Sequence, residues 1–121
     1  FMLNVGINQV SAILGAPYKL FQAAGPARNL VRRAMLEVVA LAAAEGVDLY
    51  EEDVDPWFEI IGTLSPEGKT SMLQDVEAGR KTEVEMFAGH VLKLAKKHNI
   101  DAPVNSVLLD LVSAKELAGG R

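Results

Sequence analysis

Apolar residues recur at helical spacing along nearly the whole chain, while no alternation of apolar and polar residues lasts more than a few positions. A chain patterned in this way lacks the alternating faces that a sheet needs, and the expected fold is a compact all-α domain. Glycine and proline cut the pattern into pieces, which sets the expected helix count at about six or seven. The 121 residues and 13.0 kDa fit one domain, residues 1–121, and not two. With 50% hydrophobic and 23% charged residues the chain can bury a core, which excludes a disordered tail.

The first helix is expected over residues 2–14, where Leu3, Ile7, Val10 and Leu14 form a stripe that Gly15 and Pro17 end. A short helical turn around 18–23 follows, and Gly25-Pro26 breaks the chain again. The longest helix is expected over 26–45. Pro26 suits its first turn, where a missing N–H costs nothing, and Gly46 suits its C-terminal cap. Its apolar surface is wide, running from Leu30, Val31, Ala34 and Met35 to Val38, Val39, Leu41 and Ala42, so this helix is expected at the centre. An acidic connection over 48–55 leads to a helix opening on Pro56, Trp57 and Phe58. After a turn-rich loop over 64–68, Ser71 is expected to cap a short helix that Gly79 stops. Thr82-x-x-Glu85 reads as a capping box for an amphipathic helix over 82–98. The last helix is expected over 103–117 with Asp101 as a cap, and Gly119-Gly120-Arg121 is expected to fray.

Composition removes several function classes. There are 12 basic against 16 acidic residues, a net charge of −4, so no basic excess exists to neutralise a nucleic acid backbone. The absence of cysteine excludes disulfide scaffolds, thiol catalysis and thiolate zinc sites, and an intracellular, cytoplasmic setting fits. The opening FMLNVGINQVSAILGA is apolar but has no basic flank and carries three amides, unlike a signal sequence. No apolar stretch is long enough to span a bilayer, so no membrane partner is expected. Residue 1 is Phe, followed by Met2, which reads as an excised piece whose N-terminal half lies elsewhere.

Few residues stand out chemically. Asn4 and Asn8 lie four apart, so on a helix they point within about 40° of each other. They can bind a polar ligand, or they sit where the helix turns to solvent or meets a loop, which is the commoner case. The Ser71 hydroxyl and the N–H groups behind it can hold a carboxylate; an ordinary N-cap with Gln74 closing a box is the commoner use. Glu83 lies in a first helical turn, where a negative charge is favoured without any function. Glu83 and Glu85 diverge on a helix and do not resemble paired hydrolase carboxylates. His90 and His98 are eight apart without a third ligand at metal spacing, so no metal is expected. Arg28, Arg32 and Arg33 form a solvated face or, less often, an anion site. Trp57 and Phe58 anchor the core or a partner surface.

The stretch Thr70-Ser71-Met72-Leu73-Gln74-Asp75-Val76-Glu77-Ala78-Gly79-Arg80-Lys81-Thr82-Glu83-Val84 resembles the signature S-M-x-Q-D-x-x-x-x-R-x-T-E-[IV] of ketopantoate reductases (2-dehydropantoate 2-reductases). Asn4-Val5-Gly6-Ile7-Asn8 is similar to that family's N-x-x-x-N segment. Gly89, Ala95 and then Ile100-Asp101-Ala102-Pro103-Val104-Asn105 are similar to its closing pattern. The resemblance runs through nearly all of the chain in the right order. It implies the family's helical C-terminal domain, of the 6-phosphogluconate dehydrogenase C-terminal-like type, with the N-terminal Rossmann domain that binds NADPH outside these residues. It implies reduction of the C2 ketone of 2-dehydropantoate to (R)-pantoate, a step towards pantothenate and coenzyme A. Asn4 and Asn8 would bond substrate hydroxyl or keto oxygens, Ser71 the substrate carboxylate, and Glu83 the catalytic centre or the substrate hydroxyl. The family's proton-donating lysine would fall just ahead of Phe1, so the chain alone is expected to be inactive and to bind no cofactor. The partners implied are a small 2-oxo acid, the Rossmann domain and, as a permitted assembly, a second copy. The alternatives are a reductase of another 2-oxo acid and a helical interaction or dimerisation domain.

Overall fold

A computed structural model describes residues 2–118, apart from the Leu3 side chain. The expected fraying of residues 119–121 and the place of Leu3 in the first stripe lie outside the described residues. The described residues form helices and connections with no strand. The order is α1 (Met2–Leu14), a 3-10 turn (Tyr18–Phe21), α2 (Pro26–Ala44), a second 3-10 turn (Glu51–Asp53), α3 (Asp55–Gly62), α4 (Ser71–Glu77), a π-helical stretch (Glu85–Gly89), α5 (His90–His98) and α6 (Pro103–Ala118).

The centre is α1, not the longer α2. Every residue from Val5 to Ala12 is buried, and α1 packs against α2, α4 and α6 and touches the π stretch. No residue of α1 is charged, so no side chain forces it to the surface. The Gly6 backbone meets α2 so closely that an added Cβ would stand 2.9 Å from both Val31 Cγ1 and Val31 O. In α2, by contrast, Val31, Ala34, Met35, Val38 and Leu41 face inward while Asn29, Arg33, Ala40 and Ala43 stay exposed. Its expected central place follows from its apolar content, but alanines are small enough to leave in water at little cost.

The helix ends use local and distant partners. Gly46 has φ +75° and ends α2 with Gly46 N–H on Ala43 O at 3.1 Å and Val47 N–H on Ala42 O at 2.9 Å. Asn99, at φ 53°, closes α5 in the same manner, with Ile100 N–H on Ala95 O at 2.9 Å. The N-terminus of α6 is capped not by Asp101 but by Glu37 of α2. Its carboxylate accepts from Val104 N–H at 2.8 Å, Asn105 N–H at 2.9 Å and the Asn105 side chain at 2.7 Å. At the opposite polarity, Lys115 of α6 donates to Ala12 O at 2.8 Å and Ile13 O at 2.9 Å, where the carbonyls of α1 run out.

The expected capping box at Thr82 does not form. Thr82 Oγ1 donates to Glu116 and accepts from Val84 N–H at 3.3 Å, and the chain then winds as a π-helix before α5. Glu85 folds back along this stretch, with its Oε2 2.9 Å from where a Cβ on Gly89 would stand. Trp57 and Phe58 part company: Phe58 is buried under the Arg28 guanidinium, 4.6 Å from the ring centre, while Trp57 is 39% exposed.

Candidate active site

Helix α1 carries Asn4 and Asn8 one turn apart. Asn4 is exposed, whereas Asn8 is only 7% exposed. Among the described residues, no hydrogen bond engages the Asn8 side chain. Its amide atoms still reach solvent, whereas those of its neighbour Gln9 are sealed in: Gln9 Nε2 donates to Val5 O at 2.6 Å and Gln9 Oε1 is buried without a partner among the described residues.

Three residues on from Asn8, Ser11 faces the start of α4. Its hydroxyl reaches Asn8 O at 3.1 Å and lies 2.6 Å from Thr70 Oγ1. Thr70 and not Ser71 is the N-cap of α4, since its Oγ1 accepts from Leu73 N–H at 3.1 Å. Gln74 closes no box with Ser71 and instead donates to Lys69 O at 3.1 Å. Relieved of the capping role, Ser71 is the first residue of α4 and is exposed. Its hydroxyl is thereby left for an external partner.

Glu83 is exposed two residues ahead of the π stretch, and its carbonyl accepts from Met86 N–H at 2.9 Å and Phe87 N–H at 3.1 Å. Both α4 and the π stretch pack on α1, so Ser71 and Glu83 lie on segments that share one support. No hydrogen bond or ion pair among the described residues joins Glu83 to Asn4, Asn8 or Ser71. Spacing alone passed over Ser11 and Thr70. The signal was present in Asn4-x-x-x-Asn8-x-x-Ser11, a polar line on an otherwise apolar helix.

The remaining candidates have structural partners. Arg32 pairs with Asp55 at 3.3 Å and Glu51 at 3.8 Å, and with Arg28 over Phe58 the arginine cluster is largely committed to its own fold. His98 lies 2.7 Å from Glu45, which also pairs with Lys97 at 3.2 Å. Both partners, His98 first, hold the Glu45 carboxyl below its ordinary value. Among the described residues, no three His, Asp or Glu side chains gather at a metal-binding spacing. None of their helices is long and apolar enough to cross a membrane.

A family model described as "Ketopantoate reductase PanE/ApbA C terminal" matches residues 1–116. The 2-dehydropantoate 2-reductase of Halobacterium salinarum is 33% identical over 118 residues, covering 98% of this chain and 39% of that enzyme. Among solved structures, a dimeric ketopantoate reductase from Staphylococcus aureus matches with a TM-score of 0.88 at 28% identity, over 98% of this chain and 42% of that one. A ternary structure of D-mandelate dehydrogenase with NADH and anilino(oxo)acetate reaches 0.90 at 24% identity, over 99% of this chain and 40% of that one, a likeness of fold alone. The chain spans well under half the length of these relatives. A helical domain accounted for almost end to end by one family model, and shared with solved members of that family, belongs to the ketopantoate reductase C-terminal domain family.

Proposed function

We propose that this domain forms the substrate-holding wall of an NADPH-dependent 2-dehydropantoate 2-reductase. The single observation that carries the proposal is the α1–α4 junction, where Thr70 takes the cap and leaves the Ser71 hydroxyl exposed, and where Ser11 links Thr70 to the turn of α1 that carries Asn8, whose amide has no hydrogen bond among the described residues. That amide is free to bond a ligand without giving up a bond to the described residues. The four residues divide the work by their chemistry. Asn4 and Asn8 donate to hydroxyl or keto oxygens, Ser71 donates to the carboxylate, and Glu83 accepts from the substrate hydroxyl and orients it.

The described residues include no strand and hence no glycine-rich strand–turn–helix to cradle a dinucleotide. They do not fit that group, so NADPH is assigned to a Rossmann domain outside this chain, and these residues perform no step on the cofactor. The domain's own contribution is to fix the ketone so that its carbon faces the hydride donor, and to leave the ketone oxygen where it can be protonated. A cytoplasmic setting and a dimer belong to the same proposal; the Staphylococcus aureus relative is described as dimeric.

The test uses the full-length protein that carries this chain. Glu83→Ala is expected to lower kcat/KM for ketopantoate, followed by NADPH oxidation, by about 10- to 100-fold, the loss of one hydrogen bond to a charged group. A kcat/KM equal to that of the unaltered protein removes Glu83 from the site. A panel of 2-oxo acids on the unaltered protein identifies the substrate, and a stronger preference for an acid other than ketopantoate overturns the assignment.

A further inference from the structure

Ser11 and Thr70 are both buried, at 1% and 2% exposure, and neither reaches the surface where a substrate binds. Their hydroxyls nevertheless form a bond 59 residues apart in sequence, between the last turn of α1 and the residue that precedes α4. We propose that this hydroxyl pair is a positioning device that sets the Ser71 hydroxyl against the Asn8 amide, and so determines affinity for the substrate carboxylate. The proposal rests on the function assigned above to Ser71 and Asn8.

The bond directions can be satisfied without conflict. Ser11 gives its one proton to Asn8 O at 3.1 Å, Thr70 gives its proton across the 2.6 Å gap to Ser11 Oγ, and Thr70 Oγ1 accepts from Leu73 N–H at 3.1 Å. One end of the chain is thus the backbone of Asn8 itself. The other end is the first turn of α4, one peptide from Ser71. Adjacent Cα atoms are about 3.8 Å apart, so a shift of Thr70 carries Ser71 with it. Recognition of a carboxylate by placed donors tolerates about 0.5 Å of misplacement, and packing between apolar faces alone allows sliding that a buried directional bond does not.

The experiment measures KM for ketopantoate and for NADPH on the full-length protein. Thr70→Val, close to isosteric, is expected to raise KM for ketopantoate about tenfold while KM for NADPH stays unchanged, and Thr70→Ser is expected to restore it. Ser11→Ala keeps the cap on Leu73 and removes the bond between helices together with the Ser11 bond to Asn8 O. It is expected to raise the same KM, which keeps the proposal open to refutation if Thr70→Val fails to fold. An unchanged KM for ketopantoate in Ser11→Ala and Thr70→Val, beside a raised KM in Ser71→Ala, overturns the proposal alone. A Ser71→Ala protein with an unaltered KM overturns the assignment of Ser71, and the proposal with it.

Discussion

At the scale of single residues, Gly6 and Asn8 show opposite uses of α1. Gly6 permits the α1–α2 crossing, and the nearest obstacle to a Cβ there is partly backbone, Val31 O, which cannot rotate away. Alanine gains about 1 kcal/mol in helix propensity over glycine, but overpacking costs about 1–3 kcal/mol. Gly6→Ala is therefore expected to destabilise the domain by up to about 2 kcal/mol in denaturant titration; a more stable variant contradicts the close crossing. The Asn8 side chain has no hydrogen bond among the described residues to lose, so Asn8→Ala is expected to leave the melting temperature nearly unchanged while weakening substrate binding. A loss of melting temperature comparable to that of Gly6→Ala would assign the amide to the fold. The Asn pair was visible in the sequence, but Asn8 near the interior and Asn4 in water was not, because burial depends on what packs over each turn.

At the scale of elements, the helices over 2–14, 26–44, 71–77 and 103–118 follow the expected boundaries to within a few residues, because glycine and proline act locally on the backbone. The distant partners that satisfy some of those ends are not legible in the same way. Glu37 lies 67 residues before the Val104 N–H that it satisfies, and no spacing rule connects them. Glu37→Ala strands two backbone donors at the start of α6 and leaves the Asn105 amide only its bond to Ala34 O at 3.3 Å, and a loss of about 2–4 kcal/mol is expected by denaturant titration. Lys115→Met, which keeps the packed stem and removes the charge at the end of α1, is expected to cost about 1 kcal/mol. A cost for Glu37→Ala no larger than that for Lys115→Met would refute the cap. The π stretch was equally illegible, since Thr82-x-x-Glu85 satisfies a local capping pattern whose hydroxyl the tertiary structure takes up with Glu116.

At the scale of the whole molecule, the ends of α2 and α5 are held together through Glu45, His98 and Lys97. The Glu45 carboxyl is lowered in the folded state, by its hydrogen bond to His98 before that to Lys97, from an ordinary value of 4.5. A lowered carboxylate contributes stability that is complete above its ordinary value and is lost as pH falls through the lowered one. Glu45→Gln is expected to flatten the acid limb of the stability profile below about pH 4.5, as read from melts over pH. A flattening confined to neutral pH would contradict the sign.

Helical spacing, glycine and proline punctuation and the run from Ser71 to Val84 by themselves determined the all-α class, most helix boundaries and the family, since each depends on residues close in the chain. Tertiary structure alone decided that α1 is the buried centre, that Glu37 and Lys115 serve helices other than their own, and that Thr70 takes the cap and leaves Ser71 exposed. The physical reason is one of range. Backbone preference and periodicity act within a few residues, whereas burial and the pairing of polar groups are settled only when distant segments compete for the same partner.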